Sequence, residues 1–201
     1  MNSFRASIQE LSSVLAICSG LESAVGKAGE TILLCLRRGG KLLTCGNGGS
    51  AADALHLAEE LVGRYNAERR ALPAICLNAD VTALTCIGND YGYDQVFSRQ
   101  IEALGRPGDV LVGFTTSGNS PNVLAAFHRA HDLGLTTILL GGKDGGLAKG
   151  LCKHEIIVPS FTTARIQEVH TLILHQWLES IDAADWDSKQ KSTIPLNTGS
   201  K

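Results

Sequence analysis

The chain has no apolar run approaching the ~18 residues that suggest a membrane span. Its first twenty residues carry Arg5 and Glu10 without a continuous apolar core, so they do not read as a secretory signal. Charge of neither sign dominates: 18 Lys+Arg stand against 20 Asp+Glu, a formal −2. That balance excludes the basic surface of a nucleic-acid binder. The six cysteines form no C-x-x-C pair, and most lie in apolar runs such as Leu42-Leu43-Thr44-Cys45, where a thiol behaves as a small hydrophobe. Neither a disulfide framework nor a structural Cys-zinc site is expected. The expected setting is reduced and cytoplasmic, with no membrane or nucleic-acid partner.

What the chain does have is glycine: 22 of 201 residues, about 11% against a typical ~7%. A hydrophobic content of 44% excludes a disordered low-complexity chain, and 18 of these glycines fall between Gly39 and Gly150. They end short apolar runs, as turn glycines in a repeating architecture would. The runs are Lys41–Cys45, Pro73–Leu77, Asp109–Phe114, Thr136–Leu140 and Glu155–Val158, each followed by a small-residue loop and a helical pattern. Apolar runs without alternation suit strands buried on both faces, and alternation with helices implies a parallel sheet. The expected fold is a single α/β domain of three layers: a doubly wound, flavodoxin-like, five-stranded parallel sheet. Residues 1–38 read as two extra N-terminal helices broken near Gly26 and Gly29, and suit oligomerisation because they lack site motifs. Residues 39–184 form the sheet domain, and residues 185–201 are polar and expected to fray.

Ligands of such sheets bind beyond the carboxyl ends of the strands. Cys45-Gly46-Asn47-Gly48-Gly49-Ser50 follows the first strand and opens a helix reaching about Tyr65. It lacks the third glycine of a dinucleotide fingerprint and the lysine of a P-loop. It reads either as an anion site at a helix N-terminus or as a plain turn with Ser50 as N-cap. Thr115-Thr116-Ser117-Gly118-Asn119-Ser120 brings four hydroxyls to another helix start, without Lys or Arg. Phosphate offers only acceptor oxygens, so such donors suit it, although Ser120 could also be an ordinary cap.

His56 and Glu60 are four residues apart and share a helix face. In Arg165–His175, Gln167 and His175 lie on one side of a helix but ~12 Å apart along it. His56, Glu60 and His175 suit either a first-row metal or an acid/base pair; a hydrogen-bonded structural histidine is the alternative for each. His128, His131 and His154 are assigned that structural role.

Taken together, Cys45–Ser50, the His56…Glu60-Leu61-x-Gly-Arg64-Tyr65 helix, Gly88-Asn89-Asp90-Tyr91-Gly92, Thr115–Ser120, Gly142-Lys143-Asp144-Gly145-Gly146 and Arg165–His175 resemble the phosphoheptose isomerase family. These are the sedoheptulose 7-phosphate isomerases of the sugar-isomerase (SIS) domain group, and the resemblance runs to about Asp182. It implies an aldose–ketose isomerisation giving D-glycero-D-manno-heptose 7-phosphate, a step of bacterial heptose synthesis for surface polysaccharide. It further implies a homotetramer with shared active sites and a zinc ion. Carried over by position, Asn47, Gly48, Gly49, Ser50, Arg64, Asn89, Asp90 and Gln167 contact the sugar phosphate, with Thr115, Thr116, Ser117 and Ser120 on the phosphate. Glu60 and His175 look like the proton-transfer pair, with Glu60 also on substrate, and His56, Glu60, Gln167 and His175 match the zinc ligands. Gln167 and His175 can share an ion only by leaning together or by coming from different subunits. Ala164 stands where some members carry Asp, so any role of that acid is absent or filled elsewhere. A regulator on the same fold, such as one associating with the replication initiator, should lack the Glu60 or His175 equivalents. An isomerase or sensor of another phosphosugar is the remaining alternative.

Overall fold

A computed structural model describes residues 3–186. The five strands are β1 Leu42–Gly46, β2 Ala74–Cys76, β3 Val110–Thr115, β4 Thr136–Gly142 and β5 His154–Val158. They form one sheet in the order β2-β1-β3-β4-β5, every neighbouring pair parallel. Each expected strand is present within two residues of its ends. The apolar runs lack alternation because both faces are covered. Leu42, Val110, Val112, Ile138 and Leu140 face one core, while Leu43, Leu111 and Leu139 face the other.

Seven helices complete the layers: α1 Phe4–Cys18, α2 Glu22–Arg37, α3 Gly49–Val62, α4 Val81–Tyr91, α5 Ser98–Leu104, α6 Pro121–Asp132 and α7 Thr163–Asp182. The first core takes side chains from α2, α3 and α7, and the second from α5 and α6. Helix α2 stops as the sequence predicts: Gly39 has φ +84°, and the Gly40 N–H closes onto the Cys35 carbonyl at 3.0 Å.

The N-terminal helices break elsewhere than expected. The interruption is a 3-10 turn at Ser19–Leu21, and Gly26 and Gly29 lie inside α2. Gly29 serves close packing: a Cβ there would meet Cδ1 of Trp177 at 2.7 Å. Trp177 is wholly buried and its indole donates to the Val25 carbonyl at 2.9 Å, joining α7 to α2. Truncating a side chain so placed costs ~3–5 kcal/mol. Of the segment expected to fray, residues 187–201 lie outside the described residues. Trp186 does not fit that expectation: it is nearly buried and donates to the Ile181 carbonyl at 2.8 Å.

At the amino ends of the strands, the Asp109 carboxylate accepts from Lys41 N–H at 3.0 Å, Lys41 Nζ at 2.5 Å and Arg106 N–H at 2.8 Å. This buried junction ties β1, β3 and the turn before β3 together. The opposite ends of β1 and β3 diverge into the loops singled out above.

Candidate functional site

Strand order reverses between β1 and β3, whose following helices cover opposite faces of the sheet. The crevice at such a switch point is where ligands of open α/β sheets bind. A cavity of about 260 Å³ lies there, lined by Asn47, Gly49, Ser50, Thr115, Thr116, Ser117, Ser120, Thr163 and Gln167, with Phe114 at its base. Among the described residues, no Lys or Arg lines it.

The loop before α3 turns through Gly48, at φ +57° and ψ −123°, which is the residue preceding the helix. Ser50 is therefore inside the first turn, and the reading of it as N-cap is replaced. Ser120 does precede α6, but its hydroxyl makes no capping bond and instead lies 3.4 Å from Thr115 Oγ1. Thr115 Oγ1 also accepts from Gly118 N–H at 3.2 Å, and Ser117 Oγ accepts from Asn119 N–H at 3.2 Å. The hydroxyls are thus held in a ring around the cavity, with two helix N-termini, of α3 and α6, opening beside it. Such an array satisfies an anion through neutral donors and helix dipoles.

Side chains absent from the sequence reading fasten the two loops. Asn47 and Asn122 exchange a reciprocal pair of amide hydrogen bonds at 2.8 and 2.9 Å, and the Tyr93 hydroxyl donates to Asn47 Oδ1 at 3.2 Å. Asn78 brackets Gly46 with bonds of 3.2 Å to its N–H and 2.9 Å to its carbonyl. The loop after β4 packs onto the hydroxyl loop: the Gly118 carbonyl accepts from Ala148 N–H at 2.9 Å, and Asn119 Oδ1 from Leu147 N–H at 2.9 Å. Beneath it, wholly buried His170 donates from Nε2 to the Gly141 carbonyl at 2.9 Å, in the residue paired with Thr115. Burial holds this imidazole down to about 4 against a small opposing effect of that bond, so it is neutral at pH 7.

The remaining candidates run along the seam where α3 and α7 lie side by side. Gly49 touches the Gln167 amide, where a Cβ would come within 2.5 Å of Nε2. Further along, Thr171 donates to Asp53 Oδ1 at 3.1 Å. Next, His56 Nε2 is 3.5 Å from Glu60 Oε1, and the His56 and His175 rings meet edge-on with centroids 5.0 Å apart. Tyr65 stacks on the other side of His175 at 5.4 Å. The ligating atoms of His56, Glu59 and Glu60 lie within 4.8 Å of one another, and Glu59 was not anticipated. Gln167 lines the cavity at one end of the seam while His175 stands at the other, two turns along α7.

Besides Gly48, a loop neighbour of the lining, and the seam residues, three expected residues stand apart from the cavity lining. Arg64 follows α3, exposed, with its guanidinium on the Asn66 carbonyl at 2.9 Å. Asn89 and Asp90 occupy the last turn of α4, exposed and bonded to each other at 2.7 Å. His131 and His154 take the structural role assigned to them, on Thr137 and Thr31 respectively, both at 2.9 Å.

The SIS domain model matches residues 4–142. A phosphoheptose isomerase of Campylobacter jejuni serotype O:6 is 56% identical over 162 residues, covering 81% of this chain and 87% of that protein. The solved phosphoheptose isomerase GmhA of Neisseria gonorrhoeae superposes with a TM-score of 0.85 at 45% identity, over 90% of this chain and 97% of the other. That of Francisella tularensis gives 0.87 at 38% identity, over 90% and 96%. The chain belongs to the phosphoheptose isomerases of the SIS-domain family.

Proposed function

We propose that the protein converts sedoheptulose 7-phosphate to D-glycero-D-manno-heptose 7-phosphate through a cis-enediol(ate), and that its phosphate sits among Thr115, Thr116, Ser117 and Ser120. The observation carrying this reading is the hydroxyl-lined cavity opening at the head of the same helix seam that bears Glu60, His56 and His175. The cavity holds the inert end of the substrate, and the seam offers acid/base groups to its other end. Asn47, Gly49, Ser50 and Gln167 contact the sugar phosphate from the cavity wall, and Gly48 stays assigned to it from the same loop. Arg64, Asn89 and Asp90 stay assigned to substrate, and their present distance means they reach it only after local movement or from a neighbouring subunit.

Isomerisation moves a proton between C1 and C2 while the two oxygens exchange charge. Glu60, its side chain mostly buried and 3.5 Å from His56, takes the carbon-bound proton. His175, held between the His56 ring and Tyr65, shuttles protons at the oxygens. Each contributes ~10²–10⁴-fold. The imidazole and carboxylate donors of His56, Glu60 and His175 suit zinc. They would hold it together, Gln167 joining by leaning toward His175 or from a different subunit. When bound, zinc supplies Lewis-acid stabilisation of oxygen-centred charge.

Exposed Phe4, Ile8, Ile17 and Leu172 on α1 and α7 support a homotetramer built through the N-terminal helices. No helix among the described residues is long and apolar enough to cross a membrane, and a cytoplasmic location fits an acceptor of phosphorylated sugars.

The test is turnover of sedoheptulose 7-phosphate by the purified protein, followed as heptose 7-phosphate formation, with solvent exchange of the C1 and C2 protons. Glu60→Gln is expected to slow exchange ~10²–10⁴-fold. Wild-type exchange in that variant removes Glu60 as the base, and no turnover by the wild type with or without added zinc refutes the reading.

A further inference from the structure

The groups assigned above are divided between two helices, His56 and Glu60 on α3, Gln167 and His175 on α7. Their separation is set by how the two helices are docked. Among the described residues, a single side-chain hydrogen bond joins α3 directly to α7: Thr171 Oγ1 to Asp53 Oδ1, 3.1 Å. Its place in both helices is central. Thr171 lies one turn after Gln167 and one turn before His175, while Asp53 lies one turn before His56 on the same helix face.

Asp53 is an expensive residue to place there. It is only 8% exposed, and its Oδ2 is buried without a hydrogen-bond partner. Burying a carboxylate with an open oxygen costs free energy that a neutral side chain at this position would avoid. Burial raises its pKa, while the Thr171 bond and the charge of His56 pull it back. Groups that ligate a metal or move protons need their positions fixed by the residues around them.

We propose that Asp53 is a positioning residue for the isomerisation: its bond to Thr171 fixes the α3–α7 register that sets His56 and Glu60 against His175. The proposal rests on the function assigned above. Asp53 itself touches no substrate in this scheme and acts through His56 and Glu60.

Two variants separate positioning from mere support. Thr171→Val removes the donor at nearly constant shape, and Asp53→Leu removes the acceptor at similar size. Each is expected to lower kcat about 10–100-fold, with KM for sedoheptulose 7-phosphate changed by less than about threefold and the unfolding temperature within a few degrees of wild type. Thr171→Ser, which keeps the hydroxyl, restores kcat. A second measurement does not depend on turnover: in protein carrying 13C at histidine Cε1, the His56 and His175 resonances shift in Thr171→Val and Asp53→Leu and return in Thr171→Ser. The proposal is overturned if kcat stays within threefold of wild type in both variants, if the two histidine resonances do not move, or if lost activity tracks lost stability. Wild-type protein without turnover refutes the assigned function instead, and the histidine resonances then decide the positioning claim alone.

Discussion

An alanine at position 118 would bring its Cβ inside contact distance of the Gly145 carbonyl and to 3.0 Å from the Gly146 nitrogen. These are backbone atoms, so no side chain can rotate aside, and relief requires the hydroxyl loop and the loop after β4 to part by about 1 Å or more. Two further costs add to this. Gly118 has φ +67°, a region costing a non-glycine residue ~1–2 kcal/mol. Separating the loops also stretches the 2.9 Å bond from Ala148 N–H to the Gly118 carbonyl, worth ~1 kcal/mol. Gly118→Ala is therefore expected to lose ~2–3 kcal/mol of unfolding free energy while keeping the sheet, whose hydrogen bonds lie elsewhere. The larger effect falls on function. Displacing phosphate donors by ~1 Å misaligns the far end of the substrate as well, and misplacement on that scale costs ~10²-fold in kcat/KM. The assay is steady-state kinetics with the sugar phosphate, paired with competition by inorganic phosphate and with urea unfolding. Activity within threefold of wild type and unchanged phosphate competition would show that Thr115–Ser120 does not hold the phosphate.

Two other outcomes follow from the buried polar groups. The folded pKa of His170 lies at about 4 and the unfolded value near 6.5, so the unfolded chain binds the proton first as pH falls. Its contribution is complete above pH ~6.5 and is lost down to about 4, roughly 3 kcal/mol in all; urea unfolding across that window should lose this slope in His170→Gln. At the other end of the sheet, Asp109→Ala strands Lys41 and two backbone donors and should cost ~3–5 kcal/mol by denaturant unfolding. Its kcat at 25 °C should stay unchanged, because the junction lies at the opposite ends of β1 and β3.

The sheet and both loops were legible because strands buried on two faces leave uninterrupted apolar runs, and loops at their ends must be small. Ser120 shows where chemistry outran local rules: a residue in the capping position points its hydroxyl at Thr115 instead. Gly29 misled in the opposite direction, since a glycine that admits an indole from 148 residues away looks locally like a helix break. Asn78, Asn122 and Tyr93 carry no motif and fasten the loops through partners 32 to 75 positions distant, which no periodicity records. The split of Gln167 from His175 was foreseeable from helical rise alone. Which of them would stand beside His56 depended on the parallel course of α3 and α7, and that is a property of packing.

The reciprocal amides of Asn47 and Asn122 constrain how this site can change over generations. Each side chain donates to the other and accepts from it, while Asn47 Oδ1 also accepts from Tyr93 and Asn122 Oδ1 from Val123 N–H, so any single replacement leaves unmatched groups and loosens the join between two ligand-bearing loops. Mutational paths that reshape the mouth of the cavity must therefore pass through a less stable intermediate or alter both positions together.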